Sequence, residues 1–105
     1  MVIVETRAFT ARVRELFSEE DYRQLQLHLA VRPDAGQTIP GTGGLRKVRW
    51  GASGRGKRGG ARVVYYWHIP GATLLMLFAF AKNERSDLSE AQKATLRKIV
   101  EAEYP

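Results

Sequence analysis

The sequence predicts an α+β fold, with a small antiparallel sheet that carries its helices on one side. Two observations predict it: β-branched and aromatic residues concentrate in the middle of the chain, at Leu45–Trp50 and residues 61–69. Towards both ends, apolar residues recur instead at the spacing of one helix face. Because 105 residues suffice for one core, we expect a single domain spanning residues 1–105.

The N-terminal part predicts one strand followed by two helices. Val2–Glu5 is a short β-branched run, and helical spacing then links Phe9, Val13, Leu16 and Phe17. Ser18 with Asp21 resembles a capping box, so a second helix should begin there and end before Pro33. The apolar face of this second helix consists of Tyr22, Leu25 and Leu29.

The middle predicts a three-stranded antiparallel meander. Residues 34–44 have the composition of a loop, with one proline and four glycines, and no contribution to the core is expected. Leu45–Trp50 should form a strand with Lys47 and Arg49 on one face and Arg46 on the other. A loop at 51–60, a strand at 61–69 and a Pro-Gly turn then lead into the strand Thr73–Ala81.

The last segment predicts one helix. Ser89 and Gln92 form a second capping box, and Leu96, Ile99 and Val100 supply a buried stripe. The predicted order is therefore β-α-α-β-β-β-α.

The charges are segregated along the chain. No acidic residue lies between Asp34 and Glu84, whereas eight of the 17 Lys and Arg residues do: Arg46, Lys47, Arg49, Arg55, Lys57, Arg58, Arg62 and Lys82. A solubilising surface normally mixes both signs, whereas clustered cations release the counterions of a bound polyanion. The pattern favours a phosphate-bearing partner.

The composition excludes several other classes of protein. Cysteine is absent and only His28 and His68 could supply imidazole ligands, so we predict no metal site. We also predict no cofactor, because no cofactor-binding motif occurs in the structural context that it requires. The apolar run Thr73–Ala81 is too short to cross a bilayer, so we expect no membrane partner. The first residues show no leader pattern, and we therefore expect a cytoplasmic protein.

The glycine-rich loop at 51–60 imitates two nucleotide-binding motifs. It contains most of a P-loop and of the dinucleotide fingerprint, but both motifs require a helix next, and here a strand follows. We interpret the loop as a hairpin tip that presents Arg55, Lys57 and Arg58 to a nucleic-acid backbone.

Three blocks of sequence together carry a family resemblance. They are Ile-Pro-Gly-Thr-Gly-Gly-Leu-Arg-Lys-Val-Arg-Trp at 39–50, Gly-Lys-Arg-Gly-Gly-Ala-Arg-Val-Val-Tyr-Tyr at 56–66 and Ala-Lys-Asn-Glu-Arg-Ser-Asp-Leu at 81–88. The chain resembles the RelE/ParE superfamily of bacterial type II toxins, in its HigB-like branch, over nearly its whole length. The resemblance implies a RelE-like fold.

The resemblance also implies an activity, that of a metal-independent endoribonuclease that cuts mRNA in the ribosomal A site. The 2′-hydroxyl of the messenger would attack the adjacent phosphate and leave a 2′,3′-cyclic phosphate and a 5′-hydroxyl. Such chemistry needs cations, a base and an acid, and neighbouring cations can lower the pKa of a lysine that serves as base. The implied partners are the ribosome, mRNA and an antitoxin, expected to be a helix-turn-helix protein.

The resemblance assigns roles to particular residues. The family's basic pair falls on Lys47 and Arg49, and its next strand carries Arg62. Before the last helix the chain departs from RelE, because Asn83 replaces an arginine and a tyrosine is missing, so Lys82 and Tyr66 would take the acid and base-stacking roles. The expected catalytic set is Lys47, Arg49, Arg62, Tyr66, Lys82 and Asn83; the expected RNA- and ribosome-binding set is Arg46, Arg55, Lys57, Arg58, His68 and Glu84.

Structural roles stay open for several of these residues. Arg46 could lie over an apolar edge, Tyr66 and His68 could pack on the sheet, and Glu84 could orient Lys82 or Arg49. Two other functions stay open as well: a ParE-like inhibitor of DNA gyrase, and a catalytically inactive nucleic-acid-binding domain on the same fold.

Overall fold

The computed structural model describes residues 1–51, 60–85 and 87–105. The predicted hairpin tip with Arg55, Lys57 and Arg58 lies outside these residues. The elements are β1 (Val2–Glu5), α1 (Arg7–Leu16), α2 (Glu19–Val31), β2 (Gln37–Thr38), β3 (Leu45–Trp50), β4 (Ala61–His68), β5 (Thr73–Ala81) and α3 (Glu90–Glu103). The predicted order is confirmed, with the two-residue β2 as an addition.

The strands form one sheet in the order β1-β5-β4-β3-β2. The predicted meander β3-β4-β5 is antiparallel throughout, but β1 pairs with β5 in parallel, so the sheet is mixed rather than purely antiparallel. A parallel neighbour needs a long crossover, which the chain between β1 and β5 provides. The pairing of β1 ends at Met76, whose carbonyl accepts a hydrogen bond from the Thr6 amide at 3.0 Å.

Helices cover both faces of the sheet. The α+β class is confirmed, but α3 packs on the face opposite α1 and α2, so the helices are not all on one side as predicted. The cause lies in the strands, which bury apolar side chains on both faces: in β4, Tyr65 points to α1 and α2, whereas Val64 points to α3. We call the two resulting layers the first core cluster, under α1 and α2, and the second core cluster, under α3.

The segment between α2 and β3 contributes to the core, contrary to the prediction for residues 34–44. Ile39 is buried in the second core cluster, and Thr42 is buried beside it. The Thr42 hydroxyl donates to the Ile39 carbonyl at 2.5 Å and accepts from the Leu45 amide at 3.2 Å. A buried apolar side chain and an internally bonded threonine therefore help to fix a segment whose composition is that of a loop.

Side-chain caps begin the helices where the sequence predicts. Ser18 accepts from the Asp21 amide, and the Ser89–Gln92 capping box is reciprocal. Leu96 is buried as expected, but Ile99 is 39% exposed. No helix in the described part of the chain has the length and apolar character needed to cross a membrane.

One irregularity interrupts β5. Val64 of β4 lies opposite Phe78, whereas Tyr65 lies opposite Met76, so Leu77 is an extra residue in the strand. Leu77 and Phe78 consequently face the same second core cluster although they are sequence neighbours. The bulge lies in the strand that leads to residues 82–87.

Candidate active site: a cationic cleft at the sheet edge

Three predicted catalytic residues meet in one cleft. The pairing of β3 with β4 places Arg49 directly opposite Arg62, with Lys47 two residues away on the same strand face as Arg49. The cleft has a volume of about 450 Å³ and is lined by Ala35, Gln37, Lys47, Val48, Arg49 and Arg62. Gln37 was not predicted; it enters the cleft because β2 pairs it with Lys47.

An acidic residue that the sequence analysis did not single out is bound to this cleft. The Lys47 ammonium donates to the Asp87 carboxylate at 3.0 Å, between side chains that are 27% and 48% exposed. This hydrogen bond lowers the pKa of Asp87, with a further contribution from the Leu88 amide. The sequence did show that Asp87 lies shortly after the long interval without acidic residues. Its contact with Lys47 of β3 could not be predicted without knowledge of the fold.

The segment after β5 carries two of the other three predicted catalytic residues, Lys82 and Asn83. The Lys82 amide donates to the Gly60 carbonyl at 3.2 Å, which places the turn beside the beginning of β4. Lys82 and Asn83 have exposed side chains and do not line the cleft. Asp87, in the same segment, is the residue that reaches Lys47.

Glu84 has a different partner from the two that were considered. Its carboxylate forms an ion pair with Arg12 of α1 and accepts a hydrogen bond from the Ala81 amide at 2.9 Å. The bond from the Ala81 amide is the main cause that lowers the pKa of Glu84. Glu84 is therefore connected to α1 rather than to Lys82 or Arg49.

Arg46 lies on the opposite face of β3 and has structural contacts. Its guanidinium donates to the carbonyls of Gly36 at 2.8 Å and Asp34 at 3.3 Å, and lies 6.0 Å from the ring centre of Trp67. These contacts favour the structural role considered for Arg46, since they hold the segment before β2 against the sheet.

Tyr65 also supports that segment, from within the core. Its buried hydroxyl accepts from the Gly36 amide at 2.9 Å and donates to the Pro33 carbonyl at 2.7 Å. Burial raises the pKa of Tyr65. A Cβ at position 36 would lie 2.8 Å from the Tyr65 ring and 3.1 Å from the Lys47 backbone, so the close approach requires glycine. Together these contacts place Gln37 at the cleft.

Tyr66 and His68 lie away from the cleft. They share a strand face with Arg62, as predicted, but the His68 ring stacks on Tyr104 with centroids 3.8 Å apart. Tyr66 also contacts Tyr104, with centroids 6.0 Å apart. The contacts favour the alternative that these aromatic residues pack on the sheet.

Two further features of the surface complete the description. An apolar groove of about 510 Å³ runs between the beginning of α1, the bulge and α3, and its lining includes Ala8, Phe78 and Ile99. Within the described residues, no three His, Cys, Asp or Glu side chains come together in a group that could hold a metal ion.

Comparisons with known proteins support the RelE part of the sequence resemblance. Residues 4–104 match the family described as the RelE toxin of the RelE/RelB toxin-antitoxin system. A mutant of the E. coli toxin RelE in the free state is similar in structure, with a TM-score of 0.62 at 13% identity, over 90% of this chain and 94% of that one. The isolated E. coli RelE toxin gives a TM-score of 0.58 at 16% identity, over 93% and 97% of the two chains. These similarities show a shared fold.

Proposed function

Because this chain belongs to the RelE family of toxin–antitoxin toxins, we propose that it is a ribosome-dependent mRNA endoribonuclease that inhibits translation. One observation carries the proposal: Lys47, Arg49 and Arg62, from two strands, line a single cleft. A phosphodiester in this cleft would meet three cations held by paired strands. An inhibitor of gyrase would not require that arrangement.

The proposed reaction is an internal transesterification. The 2′-oxygen of the messenger forms a bond to the adjacent phosphorus, and the bond from phosphorus to the 5′-oxygen of the next nucleotide breaks. The proton of the 2′-hydroxyl passes to a base, and the leaving 5′-oxygen takes a proton from an acid. Arg49 and Arg62 neutralise the charge that develops on the phosphate oxygens, for which no metal is required.

The contacts suggest how the remaining roles divide. A carboxyl with a lowered pKa accepts protons poorly near neutral pH, so we assign Asp87 to hold Lys47 in place rather than to act as the base. Lys82, on the neighbouring turn, is the proposed acid for the leaving oxygen. Asn83 stays a proposed substrate contact on the same turn.

The decisive experiment maps the 5′ ends of mRNA in a reconstituted translation system with the purified protein. We expect 5′-hydroxyl ends within the reading frame only when ribosomes are present, and none with Arg62→Ala. Unchanged mRNA ends with gyrase-linked DNA breaks would support the ParE-like alternative. Ribosome binding without cleavage would support the inactive binding domain.

The partners are part of the same proposal. The family implies an antitoxin, and the Ala-Lys-Asn-Glu block at 81–84 suggests the HigB-like branch, whose partner we expect to be a helix-turn-helix protein acting with the toxin in the cytoplasm. A neighbouring short reading frame that encodes such a protein, and its co-purification with this chain, would test the assignment. A partner of another class would overturn the branch but not the activity.

A further inference from the structure

Arg12 connects α1 to the last part of β5 and to the segment that follows it. Its guanidinium forms an ion pair with Glu84, and its Nε donates to the Ala79 carbonyl at 3.3 Å. The Arg12 side chain is 23% exposed, compared with 66% for Arg23, an arginine in another surface ion pair. Arg12 is thus largely covered although it lies on an outer helix.

The topology leaves the edge of β5 open to side chains of α1 at this place. β1 pairs with β5 only as far as Met76, so the edge of β5 beyond it continues without β1. The Thr6 hydroxyl donates a hydrogen bond to the Leu77 carbonyl at 2.8 Å, and the Arg12 guanidinium donates one to the Ala79 carbonyl. Side chains from the beginning and middle of α1 therefore satisfy carbonyls along the strand edge.

Glu84 extends this connection into the proposed active segment. Its carboxylate caps the Ala81 amide, and its own amide donates to the Ala81 carbonyl at 3.0 Å, which closes the turn where β5 ends. The direction in which the chain leaves β5 is therefore fixed by the same residue that contacts Arg12. Lys82 lies inside this turn, and Asp87 lies three residues beyond Glu84.

We propose that Arg12 and Glu84 form a positioning pair that fixes where Lys82 and Asp87 lie relative to the cleft. The inference rests on the proposed nuclease function, and it adds Arg12, a residue outside the cationic interval, to the supporting structure of the site. An isolated surface ion pair contributes little to stability. This one is combined with two bonds to the backbone, so its loss changes where Lys82 and Asp87 lie more than whether the chain folds.

The test compares Arg12→Ala, Glu84→Ala and the double variant on programmed ribosomes. We expect each single variant to lower the single-turnover cleavage rate about 10- to 100-fold, the effect of a small misplacement of reacting groups, with ribosome affinity almost unchanged. The double variant should be slower than the worse single variant by much less than the product of the two single effects, because both remove the Arg12–Glu84 contact and each also removes one backbone bond of its own. Glu84→Gln keeps an oxygen for the Ala81 amide and should be impaired less than Glu84→Ala.

Arg14→Ala is the matched control, since it removes the same charge from an exposed position of the same helix and should cleave at the wild-type rate. Thermal unfolding identifies any variant that loses activity because it is unfolded. Hydrogen exchange at the Ala81 and Glu84 amides should become faster in Arg12→Ala.

The outcomes separate the two proposals. A wild-type protein that cleaves no mRNA would overturn the nuclease function and this inference with it. Wild-type cleavage with unchanged rates in Arg12→Ala and Glu84→Ala would overturn the positioning pair alone, as would additive losses or unchanged amide exchange.

Discussion

The Lys47 ammonium lies 3.0 Å from a carboxylate oxygen of Asp87, 40 positions along the chain. The contact joins β3 to the segment before α3. A substrate phosphate in the cleft would compete with this carboxylate for the same ammonium, so Asp87 both orients Lys47 and opposes the approach of an anion.

Asp87→Asn should therefore bind programmed ribosomes as tightly as the wild type or more tightly, yet cleave more slowly. We expect the cleavage rate to fall about tenfold, the consequence of roughly 1.4 kcal/mol lost from the transition state. Single-turnover kinetics with separate affinity measurements distinguish the two effects. Asp34→Asn is a suitable control, because Asp34 pairs with Arg32 and does not line the cleft. Weaker binding with an unchanged cleavage rate would contradict the assignment.

The same carboxyl predicts a dependence of stability on pH. Because the pKa of Asp87 is lowered below its ordinary value of 3.8, its contribution to stability is present above that value and is lost as the pH falls through the folded-state pKa. The difference in unfolding free energy between wild type and Asp87→Asn should thus favour the wild type at pH 7 and shrink towards zero in acid. Urea unfolding at several pH values measures it; a constant difference would refute the linkage.

Strand and loop cations should differ in what they contribute. Arg62→Ala and Lys47→Ala should lower the cleavage rate about 100-fold or more, as the loss of a preorganised charge contact does, with a small effect on ribosome binding. Simultaneous replacement of Arg55, Lys57 and Arg58 by Ala should weaken binding more than cleavage, because the sequence predicts these residues to contact a nucleic-acid backbone and not the reacting phosphate. Equal losses in both assays for both sets would rule out this division.

Tyr65→Phe should destabilise the protein by about 1–3 kcal/mol, since it leaves the buried partners of the hydroxyl, the Gly36 amide and the Pro33 carbonyl, unpaired. The urea midpoint should fall without a change in the slope of the transition. Cleavage should also become slower in the folded protein, because the segment that carries Gln37 is loosened. An unchanged midpoint would show that the two backbone groups find other partners.

Antitoxin association should slow as salt rises, because the cations of the cleft, Lys47, Arg49 and Arg62, would attract an acidic partner over a distance. Salt reduces the reach of this attraction, to about 8 Å at physiological ionic strength. Association rates measured from low to high salt give the slope. A flat response would indicate an apolar contact instead, for which the groove between α1 and α3 is available.

Local sequence signals predicted most of the elements and part of the site. The Ser89–Gln92 capping box could be recognised directly in the sequence. In β3, the alternation of side chains between the two strand faces was enough to place Lys47 and Arg49 on one face. The alternation of side chains does not show how far apart two residues of the same face lie. Tyr66 shares a face with Arg62 but lies about 13 Å from it along β4, at 3.3 Å per residue. It is therefore under Tyr104 rather than in the cleft.

Contacts between remote parts of the chain could not be predicted in the same way. The Arg12–Glu84 pair joins residues 72 positions apart, and neither residue differs in its local pattern from an ordinary surface charge. Likewise, nothing in Val2–Glu5 indicates whether it will pair in parallel or antiparallel. Such features depend on which edges and faces the assembled sheet leaves to be covered.

The bulge at Leu77 has a consequence for how this chain tolerates changes in length. Leu74 and Met76 before it, and Ala79 and Ala81 after it, all face the first core cluster. Removing Leu77 would therefore leave every other side chain of β5 on its present face and convert the strand to an unbroken ladder. The deletion would also remove a buried side chain from the second core cluster and change the local twist, and with it the direction in which the chain leaves the strand. A one-residue deletion at this position should accordingly keep the alternation of β5, destabilise the protein by the loss of one buried leucine, and shift the segment after β5 for which a catalytic role is proposed.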